Sequence, residues 1–148
     1  MTAARLAATN HDVKRLELAR VRICQRCSRG RAELVTDDGA TLAIPLDAAR
    51  THELAQHDDA ADVPWLSAVV LGLVAREGGR VRDVVLDTAP NGLRALVTIA
   101  RGAESQIIAC TPQEGIGLAL RATAPLLATS EALALAVPAD AGGRETIH

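Results

Sequence analysis

The chain has 148 residues, a formal net charge of −2 and 49% hydrophobic residues. That length suits one domain with a sizeable core; with one Trp, one Met and no Phe or Tyr, the core must be built from Ala, Val, Leu and Ile. A slight negative charge, with no basic run and no aromatic stacking set, counts against strong non-specific attraction to polyanions and against a dedicated nucleic-acid-binding module. Met1 to Asn10 has no apolar h-region, and no later segment reaches membrane-spanning length without charges. The three cysteines are an odd number. Together these features predict reduced thiols in a cytoplasmic protein without membrane contact.

Residues 1–14 read as a flexible N-terminus, 15–138 as one domain and 139–148 as a flexible tail. Leu16, Leu18, Val21 and Ile23 alternate with Arg and Glu, which predicts a strand centred on Leu18 to Cys24. Ser28-Arg29-Gly30 turns the chain. Ala32 to Thr36 is the next strand, Asp37-Asp38-Gly39 a hairpin turn and Thr41 to Leu46 the third strand. Asp47 can cap a short, weakly amphipathic helix through Gln56, with Ala48, Ala49 and Leu54 as its apolar positions. After a polar loop, Pro64 opens a longer helix through Arg76. Trp65, Leu66, Val69, Val70, Leu73 and Val74 recur there at helical spacing, so Trp65 is expected to pack in the helix's buried stripe.

Two strands flank Asn91-Gly92, read as the central pair of a type I′ turn. A third short strand covers Ile107-Ile108-Ala109. Thr111-Pro112-Gln113-Glu114 then carries a full helix start: Thr as N-cap, Pro at N1 and Glu at N3 closing a capping box. A final helix spans Ser130 to Val137. The order strand-strand-strand-helix-helix thus occurs twice, over about 16–76 and 81–137. A Gly-Ala pair precedes the third strand in each copy, Gly39-Ala40 and Gly102-Ala103. The fold class expected is α+β.

Residues 107–133, IIACTPQEGIGLALRATAPLLATSEAL, resemble the signature of the bifunctional nuclease (BFN) domain family. That signature runs roughly Asp-x-Arg-Pro-Ser-Asp-Ala, a helix ending Leu-Ala-Leu-Arg, an apolar strand-like run and a second short helix. The likeness spans about Leu16 to Val137. It implies two β3α2 repeats forming one barrel-like mixed or antiparallel sheet with helices packed outside. It also implies metal-assisted cleavage of DNA and RNA, with a divalent ion such as Mg or Mn. Glu114 matches the family's acidic position as a metal-binding or water-activating carboxylate, and Pro112 and Arg121 match as well. Thr111 stands where the family has Arg, Gln113 where it has Ser and Ala109 where it has Asp. Val63-Pro64-Trp65-Leu66-Ser67-Ala68 keeps only the Pro of another motif. The polar set for hydrolysis is depleted while the packing pattern persists, so the chain reads as a degenerate member whose cleavage is weak or lost.

Glu114 also reads as half of the capping box, and Arg121 as a last-turn cation favoured by the helix dipole. Asp87 and Asp47 are the additional carboxylates that could join Glu114 around a metal. Cys24-x-x-Cys27 is half of a tetrahedral zinc site; His52 and His57 have a spacing that could complete it, and plain reduced thiols are the other reading. Three functions stand side by side: a nuclease acting on DNA or RNA, a non-catalytic assembly or regulatory module on the same fold, and a zinc-stabilised interaction protein using Cys24 and Cys27. Apolar helix faces that a thin sheet leaves uncovered predict a homo-oligomer, a dimer in the first instance.

Overall fold

Alternating apolar and charged residues build two three-stranded antiparallel meanders. The computed structural model describes residues 13–56 and 65–135 and the backbone of 146–147. The first meander is β1 (Val13–Ile23), β2 (Gly30–Thr36) and β3 (Thr41–Leu46), followed by α1 (Ala48–Gln56) and α2 (Leu66–Arg76). The second is β4 (Arg80–Ala89), β5 (Gly92–Arg101) and β6 (Glu104–Cys110), followed by α3 (Pro112–Ala122), β7 (Leu126–Thr129) and α4 (Ser130–Leu135). A two-residue strand, β8 (Thr146–Ile147), pairs with β1. The fold is mixed α+β. No described helix is long and apolar enough to cross a membrane.

β7 joins the meanders. It is antiparallel to β1 and parallel to β4, giving the order β3-β2-β1-β7-β4-β5-β6. The expected strand-strand-strand-helix-helix order is therefore interrupted in the second half, where β7 lies between the two helices. The expected barrel-like closure is not found among the described residues. β7 links β1 to β4 edge to edge, which leaves β3 and β6 as the far ends of an open sheet.

The core is aliphatic throughout, as the composition requires. Leu34, Leu42, Val84, Leu86, Ala95 and Ile116 are fully buried along the two meanders and α3. The second hairpin turns one residue earlier than expected. Ala89 pairs with Gly92, so the loop residues are Pro90 and Asn91. Asn91 is not among the positive-φ residues, and the left-handed requirement falls on Gly92, at φ 128°. Proline's fixed negative φ suits the first central position of a type I turn and forbids that of a type I′ turn, which fits Pro90 and Asn91 as the loop.

The longest departure from the sequence pattern is α2. The only buried residue in this apolar helix is Ser67. Leu66, Val69 and Leu73 are 58%, 44% and 56% exposed. Trp65 is half-buried ahead of the helix, with its ring edge on His52 at a centroid distance of 5.5 Å. It does not sit in a buried stripe with Leu66, Val69 and Leu73; the side of α2 turned inward carries Ser67 and the partly buried Leu71.

Candidate functional site

The N-terminal turns of α1 and α3 meet through Asp47 and Gln113. Asp47 caps α1 by accepting from the Arg50 N–H at 2.8 Å. Its own N–H donates to Gln113 Oε1 at 2.9 Å, and Gln113 Nε2 donates back to Asp47 Oδ2 at 3.0 Å. The backbone bond from Arg50 is the largest influence holding the Asp47 carboxyl below its ordinary pKa, with Gln113 adding to it. This reciprocal pair ties the two helix starts together across 66 positions of sequence.

Behind it lies an ion-pair network in which Arg50 Nε and Glu53 Oε1 approach each other without forming a hydrogen bond. Arg50 Nη1 donates to both Glu114 oxygens, at 2.9 and 3.2 Å. Arg50 Nε lies 3.2 Å from Glu53 Oε1. Glu53, one turn on in α1 and only 3% exposed at its side chain, also meets Arg121 Nη2 at 3.5 Å. Ser67 donates its hydroxyl to Glu53 and accepts from Arg121 Nε at 3.0 Å. Two carboxylates and two guanidiniums therefore neutralise one another, and the serine that anchors α2 completes the chain of contacts.

The local sequence explains how α3 presents both its charges. Thr111 caps it, accepting from the Glu114 N–H, and Pro112 follows at the first turn. Only this half of the capping box is formed, because Arg50 engages the Glu114 carboxylate. Glu114 and Arg121 lie seven positions apart, two helical turns, and so project from the same side of α3. Arg121, in the last turn of α3, meets the Glu53 carboxylate and the Ser67 hydroxyl.

The other expected site residues stand elsewhere. Asp87, on β4 opposite Arg94, accepts from Thr129 Oγ1 at 3.0 Å and lies 3.9 Å from Arg94 Nη2. It makes no bond to Glu114. Cys24 and Cys27 lie in the loop between β1 and β2, where the Cys24 N–H donates to the Arg29 carbonyl at 2.7 Å and Cys27 is exposed. His52 is turned to Trp65, and His57 lies outside the described residues. Among the described residues, no group of three or more His, Cys, Asp or Glu side chains could hold a metal ion. The Cys110 thiol, close to Glu114, is pushed up to about 11 by burial and secondarily by that carboxylate's charge. It is therefore protonated and a poor nucleophile near neutral pH.

No family model matches the chain, and no curated protein matches it.

Arg50, Glu53 and Ser67 were not candidates from the sequence. A signal existed: a lone serine in an otherwise apolar helix, and an Arg-Glu pair three positions apart near the start of α1. A second buried acid, Glu33 on β2, is gripped from β1 by Arg20 Nε at 2.8 Å and Arg22 Nε at 2.6 Å. Burial alone would raise its pKa; the bonds from Arg22 and Arg20 outweigh burial and hold it below the ordinary 4.5. The unfolded chain then binds the extra proton on acidification, so this stabilisation is present above about pH 4.5 and is lost as pH falls further. The urea midpoint should drop between about pH 6 and about pH 3, with a shallower drop in Glu33→Gln. Identical acid slopes for the two proteins would assign the drop to other carboxylates.

Proposed function

We propose that this chain is a degenerate member of the bifunctional nuclease domain family, in which phosphodiester cleavage is lost and the domain serves as a non-catalytic assembly module. What supports this reading is the ion-pair network around Glu114. Metal-assisted hydrolysis needs carboxylate oxygens directed at an ion or its water. Binding of a phosphate needs guanidinium N–H groups not already committed to an acid. Here Arg50 takes both Glu114 oxygens, and Glu53 holds Arg121. Thr111, at the family's Arg position, is a helix cap and carries no charge.

The duplicated β3α2 plan belongs to the same reading. Each meander begins with a strand that shifts register, between Leu18 and Arg20 in β1 and between Val81 and Asp83 in β4. Each also turns into its third strand through a glycine of positive φ, Gly39 at 88° and Gly102 at 58°. These shared irregularities support two copies of one unit.

Single-stranded DNA and RNA incubated with the protein and Mg²⁺ or Mn²⁺ should show no cleavage beyond that of Glu114→Ala. Robust metal-dependent cleavage, abolished in a Glu114→Ala variant that keeps its melting temperature, would overturn the non-catalytic reading.

A further inference from the structure

The two ends of the sheet are built differently. β3 carries Pro45, which cannot donate to a neighbouring strand. β6 reads ESQIIAC, with no proline and no cation. Its pairing with β5 runs without a shift from Arg101↔Glu104 to Ala95↔Cys110. Its single charge, Glu104, stands at the first position. A regular strand whose outer N–H and C=O groups lack a neighbour, as those of β6 do among the described residues, is a template for another strand, and proteins ordinarily guard such edges with charge, proline or a bulge. Nothing of that kind guards the middle of β6, where Ile108 is 46% exposed.

Helix α2 runs beside this edge. Leu66 and Val70 share a groove of about 380 Å³ with Ile108 and Cys110. Leu73 and Val74 line a neighbouring groove of about 550 Å³ with Glu104 and Gln106. The exposed row Leu66, Val69 and Leu73 and the unguarded strand are thus neighbours. Five paired strand residues alone would bury too little for a stable complex, which needs roughly 1,200 Å² in total. The α2 row supplies further apolar area in each copy.

We infer that β6 pairs antiparallel with β6 of a second copy of this chain, about a two-fold axis at Ile108, with the α2 rows closing over the seam. This rests on the reading of the domain as an assembly module and names its partner. The patch is self-complementary. A two-fold axis normal to the sheet requires one residue to face its own counterpart, and Ile108 is the exposed apolar residue on the groove side of β6. The paired stretch is then Gln106 to Cys110. Glu104 falls outside it, so the carboxylates of the two copies do not oppose each other.

Sedimentation of the full chain at about 10 μM should give a dimer in which both the strand edge and the α2 row are engaged. Ile108→Lys and Ala109→Lys should both give folded monomers whose melting temperatures no longer depend on protein concentration, since both positions are exposed and lie on opposite faces of the same edge. In a background with Cys24, Cys27 and Cys110 replaced by Ser, Ile108→Cys should form an intermolecular disulfide and Ala109→Cys should not. A monomeric wild type, or a dimer that survives both lysine variants, overturns the inference. So does a dimer lost only in Leu73→Lys, which would place the contact on the helix without strand pairing. A dimer that cleaves nucleic acid would keep this pairing and sink the non-catalytic reading, whereas a monomer without cleavage would do the reverse.

Discussion

Replacing Glu53 by alanine should destabilise the domain by about 3–5 kcal/mol, the cost of breaking a buried ion pair from one side. Glu53 is only 4% exposed and accepts from Ser67 while lying against Arg50 and Arg121. Its removal leaves two guanidiniums facing each other across the space it occupied. Arg50 keeps Glu114 as a partner, and Arg121 keeps the Ser67 hydroxyl. Ser67 in turn loses its acceptor. The expected result is a lower urea midpoint together with faster amide exchange in α2, because Ser67 is that helix's buried anchor. Glu53→Gln keeps the shape and an acceptor oxygen, so it should recover part of the loss. A cost below about 1 kcal/mol for the alanine variant would mean that the network is hydrated and screened, as surface pairs are.

The same network shows why much of the fold could be read from the sequence and the site only in part. Strand alternation, the turn glycines and the Thr111-Pro112 helix start are local signals, and they lead to six strands and to α3 in the observed order. β7 gave no such signal. Its four residues, LLAT, are too short to display a period, and its place is fixed by partners on β1 and β4. On α1 the apolar pattern points the wrong way: Ala48 and Ala49 are exposed, while Arg50, Thr51, Glu53 and Leu54 are buried. A hydrophobic period cannot locate a face that is buried because its charges are paired. α2 shows the complement, with an apolar row exposed and a serine inside. Glu114 and Arg121 stood out through their family-like spacing. Their partners did not, because Arg50 lies 64 positions from Glu114 and Ser67 lies 54 from Arg121.

The last expectation concerns how α3 brings Glu114 and Arg121 to their partners. Gly115 sits against the sheet, and a Cβ there would lie 2.3 Å from Ala95 Cβ and 3.1 Å from Val84 Cγ1. Both neighbours belong to fully buried side chains on β5 and β4, so neither has room to retreat. Gly115→Ala should therefore cost about 1–3 kcal/mol through overpacking, even though alanine is favoured over glycine in a helix interior by up to about 1 kcal/mol. Gly117, on the same helix, is the control. A Cβ there meets only the Glu53 carboxylate oxygens, at 3.8 and 3.9 Å, which is ordinary contact. Gly117→Ala should then be neutral or stabilising by up to about 1 kcal/mol. Urea midpoints of the two variants should move in different directions from wild type. A destabilised Gly117→Ala beside an unaffected Gly115→Ala would show that α3 is held by its charged partners rather than by close approach to Ala95. If Gly115→Ala is destabilised as expected, the helix bearing Glu114 and Arg121 is set against the sheet by the absence of a single methyl group.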